Sequence, residues 1–207
     1  MKSSDKLRNI PVTLALTGAN IIAFIFTAIK GADLWKGNGM LLLHYGANYW
    51  PLSIQEHQYW RLFSSMFLHA GLGHLITNML GLFIGGFFLE PVLRAWKFIS
   101  IYLITGIIAN FISNYFHETA IGVGASGAIF GIYGTFIALL TTNLFPSSIK
   151  KTFLAYIGLF ILLNAVTAVI AAGMDNVAHL GGFLSGVIMG YGCYFLLNKE
   201  DGKKLID

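Results

Sequence analysis

Residues 119–144 read TAIGVGASGAIFGIYGTFIALLTTNL, with no Asp, Glu, Lys or Arg among them. A helix needs roughly 20 apolar residues to cross a bilayer, and this stretch supplies them. It also carries Gly127, Gly131, Gly134 and Ala138 at helical spacing, the small-residue pattern that lets membrane helices approach closely. Working outward from it, charge-free stretches of the same kind cover residues 11–29, 62–89, 98–116, 152–173 and 176–198. We read six transmembrane helices. The stretch 62–89 is too long for one span, and its start, 62–71, is expected to be a loop dipping towards the membrane.

Composition points the same way. Of 207 residues, 56% are hydrophobic and 11% charged, where soluble domains carry about 25% charged residues; mean hydropathy is +0.71. A soluble globular domain, a disordered tail and a disulfide scaffold are all excluded. The single cysteine, Cys193, can form neither an internal disulfide nor a CxxC metal site. The net charge of +4 reads as charge placement across a membrane, with no nucleic-acid partner. Ten of the 13 basic residues (Lys2, Lys6, Arg8, Arg94, Lys97, Lys150, Lys151, Lys199, Lys203 and Lys204) fall on one side, against Lys30, Lys36 and Arg61 on the other. The positive-inside rule then puts both ends, 1–9 and 199–207, in the cytoplasm and the long connection 31–62 outside. The first span reads as a signal anchor and 1–207 as one domain in a bacterial-type plasma membrane, given no transit-peptide pattern. Trp35, Tyr45, Tyr49, Trp50, Tyr59 and Trp60 make the outer connection a headgroup-level segment resting partly on the bundle. Nothing in the sequence speaks to oligomeric state.

None of the nine acids lies in the middle of a span; Asp175, at the mouth of the sixth, comes nearest. Proton-coupled transport and aspartyl proteolysis both use intramembrane carboxylates, and no HExxH zinc motif is present. No metal or organic cofactor is implied. Polar, uncharged chemistry remains, in three clusters. His74 and Asn78, four apart, share one helix face. Gly124, Ala125, Ser126 and Gly127 open the fourth span. Ala178, His179, Leu180, Gly181 and Gly182 lie near the start of the sixth.

That set suits acyl transfer. A serine hydroxyl needs a base, a neutral imidazole supplies one, and the oxyanion needs fixed donors. Ser126 at a helix N-terminus offers an unpaired backbone N–H; His74 and Asn78 can add side-chain donors. A second small-residue stripe, Ala178, Gly182, Gly186 and Gly190, would bring His179 to Ser126 if it packs on the first. Blander readings stand beside these: Ser126 as a helix cap, His179 as a satisfied buried histidine, and His74 with Asn78 as interhelical glue. Asp175 reads as a cap of span six together with Asn176, Ser185 as packing, and Cys193 as filler.

At this point the sequence resembles the rhomboid family of intramembrane serine proteases over nearly its whole length. Four motifs carry the resemblance in order: Trp60-Arg61; His69 with His74-Leu75-Ile76-Thr77-Asn78; Gly124-Ala125-Ser126-Gly127; and the run from Ala178 to Gly186. The resemblance implies a rhomboid-like six-helix bundle and a Ser126–His179 dyad without an acid. It also implies an oxyanion hole of His74, Asn78 and the Ser126 N–H, supported by Gly124, Gly127 and Gly182. The substrate implied is a transmembrane protein within the lipid bilayer, entering beside span five at 152–173. Where the family commonly has tyrosine, this chain has Phe130, which keeps the ring and loses the hydroxyl. The alternative is a catalytically silent relative that binds transmembrane helices.

Overall fold

The computed structural model describes residues 10–145, 150–151, 154–160, 162 and 175–201. The expected fifth span lies largely outside the described residues, as do 1–9 and 202–207. The described chain is all-helical apart from one isolated antiparallel bridge between Asn48 and Gly122. Among the described residues, three helices are long and apolar enough to cross a membrane: α1 (Pro11–Ile29), α4 (Leu72–Leu93) and α5 (Ala95–Phe116). Two further helices described in the bundle are α6 (Ser126–Leu140) and α7 (Asn176–Asp201).

Helix ends follow from local chemistry. Pro11 stands at the first turn of α1, where a missing N–H costs nothing. The turn is closed from a distance: the Glu90 carboxylate of α4 accepts the N–H groups of Val12 and Thr13, each at 2.8 Å, and the Thr13 hydroxyl at 2.6 Å. The link between α4 and α5 is Arg94 alone, with φ +68°. This corrects the start of the third span, expected at 98 with Lys97 before it, because Lys97 lies inside α5 and is buried. Hydropathy assigns a lysine to water by its charge; the fold buries this one, with Nζ 5.2 Å from the Trp96 ring centroid.

The expected fourth span, 119–144, is also shorter than its apolar run. Residues 119–125 are not helical, and α6 has 15 residues. At 1.5 Å per residue it rises about 22 Å, some 8 Å less than the roughly 30 Å hydrocarbon core. The apolar residues before it do not face lipid as a helix. Ile121 and Val123 pack on a small satellite core of Leu42, Ala47 and Leu68, where the 31–62 connection meets the bundle. That connection folds into α2 (Gly39–His44), a π-helical turn (Pro51–Gln55) and the start of α3 (Arg61–Ser64). The segment 62–71, expected as a loop, continues through a 3-10 turn (Ser65–Phe67) before α4 begins. Arg61 holds it: its guanidinium donates to the carbonyls of Leu43 (2.7 Å) and Ala47 (3.2 Å) and to the Gln58 side chain (2.7 Å).

α6 is the centre of the bundle. Residues on every side of it are buried, as expected of a helix apolar all round. Its small residues meet those of α7. A Cβ on Gly182 would overlap the Gly127 carbonyl, and one on Gly186 would overlap that of Gly131. The two backbones are therefore in direct contact, and the Thr135 hydroxyl donates across the seam to the Gly186 carbonyl at 2.8 Å. Segment 154–160 lays Ile157 and Phe160 into the same core, with Phe160 stacked on Tyr133 at 4.4 Å.

Candidate active site

The site is built around the start of α6. Gly124 has φ +123°, a backbone conformation open to glycine, and its N–H donates to the Ser65 carbonyl at 2.9 Å. That turn ends the extended segment and starts the helix at Ser126. The first α-helical hydrogen bond there runs from the Ile129 N–H to the Ala125 carbonyl. The N–H of Ser126 consequently has no partner within the helix and points along the axis.

α7 brings the base. His179 is buried, and its Nε2 lies 2.8 Å from Ser126 Oγ. Phe130, one turn along α6 from Ser126, stacks on the imidazole at 4.3 Å and 14°. The ring is thus held between the serine hydroxyl at its edge and an aromatic face beneath it. Loss of the hydroxyl that tyrosine would carry leaves this stack intact.

α4 supplies the third wall. A Cβ built on Gly124 would stand 2.7 Å from His74 Cε1, 2.8 Å from His74 Nε2 and 3.5 Å from Asn78 Nδ2. Both side chains therefore press on the turn that presents Ser126. Asn78 is 2% exposed, and its Nδ2 makes no hydrogen bond among the described residues. A buried amide donor without a partner is costly, and Asn78 Nδ2 is left with its donor capacity unused beside Gly124. Beside it, His69 packs its ring edge-on to His74 at 5.1 Å. Burial, with a smaller contribution from His74, pushes the His69 imidazole down to about 3, so it is neutral. Among the described residues no three His, Cys, Asp or Glu side chains converge as a metal site.

Residues named from the sequence thus meet from three helices: Ser126 and Phe130 from α6, His179 from α7, and His74 and Asn78 from α4. Gly124, Gly127 and Gly182 sit where side chains would collide with this set or with its supporting helices. Asp175 is not a third member of the Ser126–His179 pair. Its Oδ1 accepts the Ala178 N–H at 2.8 Å and its Oδ2 accepts the Ser113 hydroxyl. Ser185 returns its hydroxyl to the Gly182 carbonyl at 2.9 Å. Sequence reasoning missed Ser113 and His117, which join Asp175 from α5; their separation of four at a helix end was the available signal. It also missed Asn48 and Asn110. Asn48 pairs with Gly122 through two backbone bonds (2.9 and 2.8 Å), and Asn110 donates to Ser65 Oγ at 2.9 Å, bracing the segment before Ser126.

The fold and site define a multi-pass membrane protein with a serine–histidine pair held inside the helix bundle. The chain belongs to the rhomboid family: residues 56–195 match the rhomboid domain. It is 38% identical over 168 residues to RHOMBOID-like protein 2 of Arabidopsis thaliana, covering 81% of this chain and 53% of that protein. RHOMBOID-like protein 6, mitochondrial, of the same plant is 36% identical, over 84% of this chain and 59% of its own length. Rhomboid protease AarA of Providencia stuartii is 31% identical, over 91% and 74%. The chain spans about half the length of the plant relatives it matches.

Proposed function

We propose that this protein is an intramembrane serine endopeptidase that cuts a transmembrane protein within or beside its membrane segment. The single observation carrying the reading is the 2.8 Å contact between His179 Nε2 and Ser126 Oγ at a helix N-terminus. Ser126 Oγ attacks the scissile carbonyl carbon as His179 Nε2 takes the hydroxyl proton. The carbonyl electrons move to oxygen, where the Ser126 N–H, the Asn78 amide and the His74 ring donate. Collapse of the adduct expels the amine, which takes the proton from His179. Water then repeats the cycle on the acyl-enzyme.

The same proposal includes six spans, one domain over 1–207 and cytoplasmic termini in a plasma membrane, with substrate entering beside residues 152–173. The distribution of basic residues supports the orientation, and the naming of AarA as a rhomboid protease supports the activity. The test is labelling of detergent-purified protein by a fluorophosphonate, beside Ser126→Ala and His179→Ala. Labelling of the wild type alone is expected. Equal labelling of all three would point to another serine, and a folded wild type that never labels would favour a silent, helix-binding relative.

A further inference from the structure

His179 must sit at one depth and one rotation to reach Ser126, and at its end of α7 the α6–α7 seam is backbone against backbone. There Gly182 lies directly on the Gly127 carbonyl, and the side-chain bonds across the seam, Thr135 to the Gly186 carbonyl and Thr141 to Tyr191, lie seven and twelve residues further along α7. A polar pin is needed at the end of α7 where His179 lies, in the first helical turn. Asp175 has that place. Its backbone carbonyl accepts the His179 N–H at 3.1 Å, and its Oδ1 accepts the Ala178 N–H at 2.8 Å. These are the bonds of a helix N-cap. The other carboxylate oxygen takes the Ser113 hydroxyl from α5, and His117, which ends α5, brings Nδ1 to 3.4 Å from Oδ1. One side chain thus closes the first turn of α7 and ties that turn to the end of α5.

We infer that Asp175 is a positioning residue, locking the first turn of α7 to α5 and so setting where His179 meets Ser126. The inference rests on the Ser126–His179 reading of the site. Asp175 is hydrogen-bonded to neither the serine hydroxyl nor the imidazole; it holds the backbone of Ala178 and His179. Displacement of a catalytic group by about 1 Å can cost on the order of a hundredfold in rate.

Three variants separate geometry from charge. Asp175→Ala removes cap and tether. Asp175→Asn keeps both, since its oxygen can accept from Ala178 and its amide can donate to Ser113, while the charge is lost. Ser113→Ala removes the tether alone. Two readouts are taken on full-length protein in detergent: the fluorophosphonate labelling rate, and the ring resonance of His179 in protein carrying isotope-labelled histidine. Of the six histidines, that of residue 179 is assigned by its loss in His179→Ala.

Asp175→Ala is expected to shift the His179 resonance towards its position in Ser126→Ala and to slow labelling by about tenfold or more. Asp175→Asn should restore both, to within about threefold in rate, with Ser113→Ala between them. A folded Asp175→Ala with the wild-type resonance overturns the inference. So does an Asp175→Asn as displaced as Asp175→Ala, because charge and not geometry would then be responsible. If Asp175→Ala does not fold, an unshifted resonance in Ser113→Ala overturns it equally. A wild type that never labels, but whose resonance moves in Asp175→Ala, leaves the positioning role standing and removes the protease reading.

Discussion

Gly124→Ala tests the turn and the oxyanion wall together. At φ +123° an L-residue is strained by about 1–3 kcal/mol, a loss that thermal or chemical denaturation in detergent would register. The new methyl group would also stand 2.7 Å from His74 Cε1. To reach ordinary contact the imidazole must retreat by about 0.7 Å, away from where a substrate oxyanion would sit. Removal of one oxyanion donor costs about 100–1,000-fold, so a displaced one should slow labelling and cleavage by about 30–100-fold. Initial rates of fluorophosphonate labelling and of cleavage of a reporter transmembrane substrate are the assays. Gly18→Ala serves as control, because nothing lies within 4 Å of a Cβ there, and alanine favours a helix interior. A Gly124→Ala protein that melts and labels like the wild type would refute the whole argument. One that melts early yet labels at the full rate would remove His74 from the oxyanion wall while leaving the strain argument intact.

Three other outcomes are expected. Glu90→Ala strips three donors of α1, two of them buried, of their acceptor and should destabilise by about 2–4 kcal/mol, with Glu90→Gln recovering part; melting curves decide, and an unchanged midpoint would show that α1 is held otherwise. Phe130→Ala removes the face on which His179 rests and should slow labelling about tenfold, whereas Phe130→Tyr stays near wild type; equal rates for all three would show that the stack does not hold the base. His69 contributes a pH dependence of stability. Its imidazole titrates at about 3 when folded and near 6.5 when unfolded, so between those values the unfolded chain binds the proton that the folded chain refuses. The contribution is complete above about pH 6.5 and is lost as pH falls towards 3. Melting points measured from pH 7 down to pH 4 should fall more steeply for the wild type than for His69→Asn, and parallel curves would contradict the assignment.

Much of this protein was legible from order and type of residue. Charge-free runs marked α1, α4 and α5 because a bilayer offers backbone groups no partner but their own helix. Small residues three or four apart marked the faces of α6 and α7 that touch, and the Gly124–Gly127 run marked a helix start. What the runs could not show was where an apolar segment leaves the helix. Ile121 and Val123 read as membrane residues, yet they pack against Leu42, Ala47 and Leu68, and α6 is short as a result. Lys97 read as a charge just before a span, yet it lies inside α5 and is buried. Hydropathy records what a side chain avoids, and the avoided solvent can be replaced by lipid or by protein.

By itself, then, the sequence determined that this is a membrane helix bundle with a serine at a helix start and a histidine beside a glycine stripe. Only the tertiary structure decided that Nε2 of one stands 2.8 Å from Oγ of the other, that Glu90 closes α1 and that Asp175 ties α7 to α5. Those contacts join residues 53 to 77 positions apart. Local periodicity fixes which face of a helix is apolar or small; the height and rotation at which two helices stop against each other come from packing and polar pins contributed by distant parts of the chain.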